Sequence, residues 1–574
     1  MERPYDVVIR GGLVYDGAGG APVEADVAVK DGRIAAVAAG LAGAGAEEID
    51  ARGKIVAPGF VDIHTHYDGQ ATWDERMQPS SWHGVTTVVM GNCGVGFAPC
   101  RPDDHDRLVR LMEGVEDIPF PILSEGLPWN WESYPDYLAS LAPRRFDVDI
   151  GSQLPHSALR VFVMGERGAN REPATAADVA AMAQIARAAA EAGALGFSTS
   201  RTINHKASDG SHIPTLTAGE EELTGIALGL AEAGRGVLQV VIDFDAEEAD
   251  FAMLRRIVER SGRPLSFSLA QNPLKPQFYK TQLRLLAEAA AEGLPMRAQA
   301  AVRPVGHVLG LELTDNPFNH YPVYKEIAGR PLAERVALLR NPEFRARLFA
   351  MKPEKPGRGA VRNFSRMYPM GDVPDYEPLP ENTVTAIAAR HGLLPEEVAL
   401  DLMLEGDGRG MIYAPTLNYA EGDLGPAYAM LSHPQTVPGL SDGGAHVGQI
   451  CDGSFPTTLL THWARDRTRG PKLKLEQVFR GQCLETARAV GLLDRGRIAP
   501  GYRADLNVID HEQLTLHAPE VVYDLPAGGR RLIQRASGYA ATMVAGEITY
   551  RDGEATGALP GRLVRGAQAG PANA

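Results

Sequence analysis

The chain has 574 residues, 57 Lys+Arg against 72 Asp+Glu for a formal charge of −15, and 44% hydrophobic residues. That apolar content excludes a disordered or fibrous chain, and an acidic balance without a basic stretch excludes nucleic-acid binding, because phosphate contacts need clustered Lys and Arg. Four cysteines are too few for a disulfide framework, the opening MERPYDVVIRGG lacks an apolar signal core, and no run approaches ~18 apolar residues. A cytoplasmic chain without a membrane span is expected.

Residues 1–54 alternate apolar and polar positions around the turn Asp31-Gly32, and predict the first half of a small β domain. Eight β-rich runs then follow, at 55–64, 86–92, 147–154, 194–200, 236–244, 264–270, 295–302 and 437–442. Helical patterns at 175–192, 219–233 and 281–292 lie between several of them. Strand–helix alternation implies parallel strands, and eight of them predict an α/β fold, a closed (β/α)8 TIM-like barrel over 55–490. Segment 305–385, rich in Pro, Phe, Tyr and Arg with a helical piece near 332–349, reads as an insertion near the barrel mouth. Residues 491–556 are again β-rich around Asp552-Gly553, and pairing with the first 54 residues makes one small β-sandwich domain. The remainder, 557–574, reads as a loose tail.

Chemistry in such a barrel sits at the C-terminal ends of the strands. There the first run ends in His64-Thr65-His66. Side chains at i and i+2 of a strand share a face, so both imidazoles can reach one point, half of a site suited to zinc. A lone His-x-His is more often structural, so its surroundings decide. Cys93, in Gly91-Asn92-Cys93-Gly94, is either an inert buried thiol or a thiolate ligand, and Asp442, in Ser441-Asp442-Gly443-Gly444, is either a turn carboxylate or an active one.

The sequence resembles the amidohydrolase superfamily, in its N-acyl-D-amino-acid deacylase (D-aminoacylase) branch. The resemblance is carried by GGLVYDG…DGRIAAV, APGFVDIHTHYD, GVTTVVMGNCG, SDGGAH and ETARAVGLLDRGRIAPGYRADLNVID, from the first residues to about Asp552. It implies a hydrolase of carbon–nitrogen bonds other than peptide bonds, acting on N-acyl-D-amino acids or related small, carboxylate-bearing amides. It implies zinc held by His64, His66, Cys93 and Asp442, with a metal-activated water and Asp442 as general base. A cyclic-amide or N-carbamoyl hydrolase on the same scaffold, or a non-catalytic protein that keeps the fold, are the rival readings.

The family's histidines at the ends of the fifth and sixth strands are absent. Val241 and Phe267 or Ser268 stand in their place, so one firmly held ion is expected and a second lacks its ligands. The loop after the fourth strand carries Arg201, His205 and Lys206. Arg201 or Lys206 could pair with a substrate carboxylate, with His205 beside them, or could form a loop salt bridge with Asp209. His156, ending the third strand, suits either an oxyanion donor or a structural hydrogen bond.

Overall fold

The computed structural model describes residues 4–354 and 363–572. Eight parallel strands form one sheet in sequential order: β1 (Phe60–Asp62), β2 (Val85–Met90), β3 (Asp149–Pro155), β4 (Gly196–Arg201), β5 (Val237–Ile242), β6 (Leu265–Leu269), β7 (Met296–Ala300) and β8 (Thr436–Pro438). The ring closes just beyond the strands. Thr65 bridges Gly443 in parallel register, the Asp442 amide donates to His64 O (3.1 Å), and the His66 amide donates to Gly443 O (2.8 Å). This is the expected TIM-like barrel.

The helices form where local signals place them. Helix Ala176–Ala192 opens on a reciprocal capping box of Thr175 with Asp178 and stops at Gly193, whose φ of +116° suits glycine. A cap of this kind contributes about 1 kcal/mol. The outer faces of the strands bury Val88, Leu154, Phe197 and Phe267 within one extended core cluster. Gln153, Gln239 and Gln299, from β3, β5 and β7, are buried as well.

The two chain ends join in a nine-stranded sheet, where Ile55–Pro58 pairs antiparallel with Leu506–Ile509 and parallel with Tyr5–Val14. The first expected strand, 55–64, is therefore two strands in two sheets. It breaks at Gly59, where a Cβ would lie 2.2 Å from Thr86 Oγ1, so only glycine lets the chain pass that close to β2.

Two expectations are corrected. The tail is not loose: Leu563 bridges Ile150, Gly561 bridges Phe146, and Leu563 and Val564 are buried against the N-terminal end of β3. Their apolar side chains close the barrel floor. The inserted unit also extends past 385. It continues through helices Val384–His391 and Pro395–Gly408 and returns by Ile412–Pro415, which pairs with Gly306–Leu309. Positions 355–362 of that insertion lie outside the described residues. The helical piece near 332–349 is two helices, Leu332–Arg340 and Pro342–Ala350, broken at Asn341, whose side chain caps the second. A core of its own, including Phe318, Leu339, Leu348 and Met403, supports the unit. It reaches the barrel mouth, since the Thr314 amide donates to Gly448 O (3.0 Å) and the Val308 amide to Gln449 O (2.7 Å) in the loop after β8. Among the described residues no helix is long and apolar enough to cross a membrane.

Candidate metal centre

Beyond β1, His64 and His66 are both buried. His64 Nδ1–H donates to Gln299 Oε1 of β7 at 2.7 Å, which fixes the tautomer and leaves the Nε2 lone pair facing inward. That Nε2 lies 3.3 Å from Cys93 Sγ and 3.4 Å from Asp442 Oδ1. His66 Nε2 lies 3.6 Å from Asp442 Oδ1 and 3.5 Å from Glu116 Oε2. His64, His66 and Cys93 each offer a ligand atom, all within 4.8 Å of one another.

The backbone is bent to achieve this. Cys93 and Asp442 both adopt left-handed conformations, at φ +54° and +48°. Such conformations cost about 1 kcal/mol or more each for non-glycine residues and persist where the surroundings over-determine them. For Cys93 the surroundings are the Gln239 side chain, whose Oε1 accepts its amide at 3.2 Å, and β4, which leaves no room for a Cβ at Gly94. For Asp442 they are the closing hydrogen bonds between the strand ends and Ser441 Oγ, which donates to Asp62 Oδ2 at 2.6 Å.

The polar atoms at the centre have no hydrogen-bond partner among the described residues: both ring nitrogens of His66, Asp442 Oδ1 and Glu116 Oε1. Leaving such groups buried and unpaired costs several kcal/mol in total. The separations point to the remedy. Tetrahedral bonds of about 2.1 Å place neighbouring ligand atoms about 3.4 Å apart, whereas a hydrogen bond to nitrogen peaks near 2.9 Å. The 3.4–3.6 Å nitrogen–oxygen edges at this centre match the first spacing, and His64 Nε2 and Cys93 Sγ are in hydrogen-bond contact beside them. The donor set fits a divalent ion with a taste for nitrogen and sulfur.

The electrostatics agree. Burial, helped by the Glu116 and Asp442 carboxylates, holds the Cys93 thiol well above its ordinary range. Burial pushes Glu116 up to about 8. Burial works against protonation of His66, but Glu116 and Asp442 outweigh it and raise the imidazole to about 9. His64 falls to about 4, mainly through burial. Asp442 is held below the usual carboxylate range by His66 and His64, which overcome its burial. The centre is short of positive charge.

Glu116 escaped the sequence reading. It ends the helix His105–Glu116, and its side chain is only 2% exposed. The signal was present: Leu108, Met112 and Glu116 fall at i, i+4, i+8 on the buried face, so an acid lies in the apolar stripe. Beside it, His446 Nε2 of the loop after β8 lies 3.4 Å from Glu116 Oε2.

The remaining expected residues lie around this centre in different ways. His205 Nδ1 hydrogen-bonds Ser200 Oγ at 2.9 Å, and burial with the nearby charges of His446 and His66 drives it down to about 3. Lys206 lines an open cleft of about 370 Å3 with Ile203, Asn204 and His212. Arg201 turns toward helix Glu247–Ser261, 3.2 Å from Met253 Sδ and 4.0 Å from Asp250 rather than toward Asp209. Of the two readings of His156, the geometry agrees with the structural hydrogen bond. Its Nδ1 bonds Thr199 Oγ1 at 2.8 Å and its Nε2 bonds Glu222 Oε1 at 3.0 Å, while Glu222 also pairs with Arg160. Both nitrogens are engaged inside a buried triad, so no donor is left for a substrate.

Comparison with known proteins is decisive for the lineage. The sequence profile of the amidohydrolase family matches residues 47–550. The chain belongs to the amidohydrolase family. Along 98% of its length this amidohydrolase is 27% identical to a D-aminoacylase of Alcaligenes xylosoxydans xylosoxydans, covering 98% of that protein. Among solved structures it is similar to a D-aminoacylase described by its binuclear metal centre, with a TM-score of 0.65, 25% identity and coverage of 98% of this chain and 100% of that one. An N-acyl-D-glutamate deacylase from Bordetella bronchiseptica, solved with zinc and a phosphonate inhibitor, gives a TM-score of 0.64 at 25% identity over the same shares. The amidohydrolase belongs to the D-aminoacylase branch and is a hydrolase of carbon–nitrogen bonds other than peptide bonds.

Proposed function

We propose that this amidohydrolase cleaves the amide bond of N-acyl-D-amino acids, or of closely related carboxylate-bearing amides, at a single firmly held zinc ion. The observation that carries the reading is the convergence of His64, His66, Cys93 and Asp442 on the closing seam of the barrel, with both ring nitrogens of His66 and Asp442 Oδ1 left without a partner among the described residues. The likeness to the zinc-containing N-acyl-D-glutamate deacylase supports both the ion and the substrate class.

A bound zinc would polarise the scissile carbonyl and lower the pKa of a water beside it toward ~7. The chain's own part is positioning and proton transfer. Gln299 orients His64, and the seam between β1 and β8 fixes the Asp442 carboxylate against both imidazoles. Asp442, low in pKa and therefore ionised, accepts a proton from the attacking water at its carboxylate and returns it to the leaving amine nitrogen. The substrate carboxylate pairs with Lys206 or Arg201, with His205 along the same wall. Lys206 has no ion-pair partner among the described residues, whereas Arg201 has Asp250 nearby.

A panel of N-acetylated D- and L-amino acids and their neutral amides tests this reading, with zinc-loaded protein and free amine as the readout. Release from the D-series acids supports it, and no release from any acid in the panel overturns it. Lys206→Ala, with Arg201→Ala as the parallel variant, raises KM about tenfold for the acids and leaves the neutral amides unchanged. Equal effects on both sets would remove the assigned contact.

A further inference from the structure

Glu116 is a buried carboxylate whose Oε1 has no hydrogen-bond partner among the described residues, and its Oε2 faces the same His66 Nε2 that Asp442 approaches. Two imidazoles approach its Oε2, His66 Nε2 at 3.5 Å and His446 Nε2 at 3.4 Å. Both distances are longer than a usual hydrogen bond and equal the spacing of neighbouring ligand atoms around a tetrahedral ion. The ligand edges therefore do not end at the first ion. They run on from Asp442 through His66 and Glu116 to His446.

The local backbone is built for this contact. The helix His105–Glu116 stops at Asp117 in a left-handed conformation (φ +49°), and Asp117 Oδ2 accepts from Thr314 Oγ1 at 3.0 Å and from the Gly448 amide at 3.2 Å. The His446 amide donates to Glu116 O. The helix end and the loop after β8 are thus tied together on both sides of the Glu116–His446 pair. His446, itself left-handed at φ +49°, is 25% exposed on its side chain, which leaves room for water or substrate as further ligands.

We propose that Glu116 and His446 form a second divalent-cation position beside the first, with the Glu116 carboxylate bridging the two. The position draws its ligands from the second βα connection and the loop after β8. Having only two protein ligands, one of them shared, it binds more weakly than the first position. A carboxylate and an imidazole accept zinc, cobalt or manganese.

The inference rests on the first ion being bound as proposed above, and metal stoichiometry separates the two. Full-length protein is dialysed to equilibrium against graded free zinc and the bound metal measured, with cobalt(II) absorption as an independent probe. The wild type reaches a plateau at one ion per chain and then a second, weaker one at two. His446→Ala and Glu116→Gln stop at one, with the first affinity lowered by less than about tenfold. A wild type that saturates at one, or a His446→Ala variant that still reaches two, overturns the second position and leaves the first intact. A wild type that retains no zinc overturns both. His446 lies on a partly exposed loop, so its variant keeps the test open should Glu116→Gln fail to fold.

Discussion

The two ends of the barrel carry buried charge in opposite ways. At the floor, Asp149 Oδ2 accepts from Arg495 at 2.8 Å and lies 2.9 Å from Arg503 Nη2, while its Oδ1 accepts the Arg562 amide at 3.0 Å. Arg495 also donates to Thr87 Oγ1 at 2.8 Å, and Arg503 to Asp505 at 3.0 Å. At the mouth, His66 and Glu116 are just as dry and Asp442 is 22% exposed on its side chain, yet their central atoms lack partners and stand about half an ångström beyond hydrogen-bond distance. Burial of charge therefore does not mark the site. Charge that converges without being satisfied does, because only an added cation removes its cost.

Mutation breaks or sharpens that contrast. The largest effect belongs to the floor: Asp149→Ala removes the carboxylate that Arg495 and Arg503 share, leaving Arg495 with Asp494 and Arg503 with Asp505, and lowers stability by about 3 kcal/mol in chemical denaturation. A loss under 1 kcal/mol would show that the floor network is as dispensable to folding as the mouth is taken to be. At the mouth, Asp442→Asn keeps the fold and lowers kcat by ~100-fold or more, read as single-substrate turnover beside an unchanged melting curve. If stability fell and turnover survived, Asp442 would belong with the structural carboxylates. Gln299→Leu frees the His64 ring and weakens zinc binding by about tenfold, measured by competition with a chelator; unchanged affinity would assign that hydrogen bond to packing alone.

The smallest effect is in acid. Against the cost of its burial, Glu222 is held down to about 2 by His156 and Arg160, from an ordinary 4.5. A carboxylate depressed by folding adds stability that is present above about pH 4.5 and is lost as pH falls toward 2. Glu222→Gln should therefore flatten the acid limb of the stability curve in that window and leave zinc stoichiometry alone. A shifted metal content would tie the His156 triad to the mouth after all.

Much of the fold could be read from local patterns. All eight barrel strands overlap β-rich runs, and the helix from Ala176 to Ala192 begins at the Thr175 cap and ends at Gly193 as its residues require. His64 and His66 were legible because a two-residue spacing on a strand is a geometric statement in itself. Glu116 was harder: its place in an apolar stripe signals burial, but not what it is buried against. The tail after Gly557 was misread because its few apolar residues are scattered among small ones, and only the barrel floor gives Leu563 and Val564 something to cover.

The sequence by itself determined the strand–helix rhythm, the histidine pair at the first strand end and the family that the whole chain belongs to. Tertiary structure alone decided that one β-run serves two sheets at Gly59, that His156 is consumed by Glu222, and that a helix end some fifty residues beyond His66 delivers a carboxylate to it. The physical reason is range. Backbone periodicity and capping act over a few residues and leave their mark in order along the chain. Whether a buried polar group is satisfied depends on atoms brought within about 3 Å from anywhere in the fold, which no local pattern records.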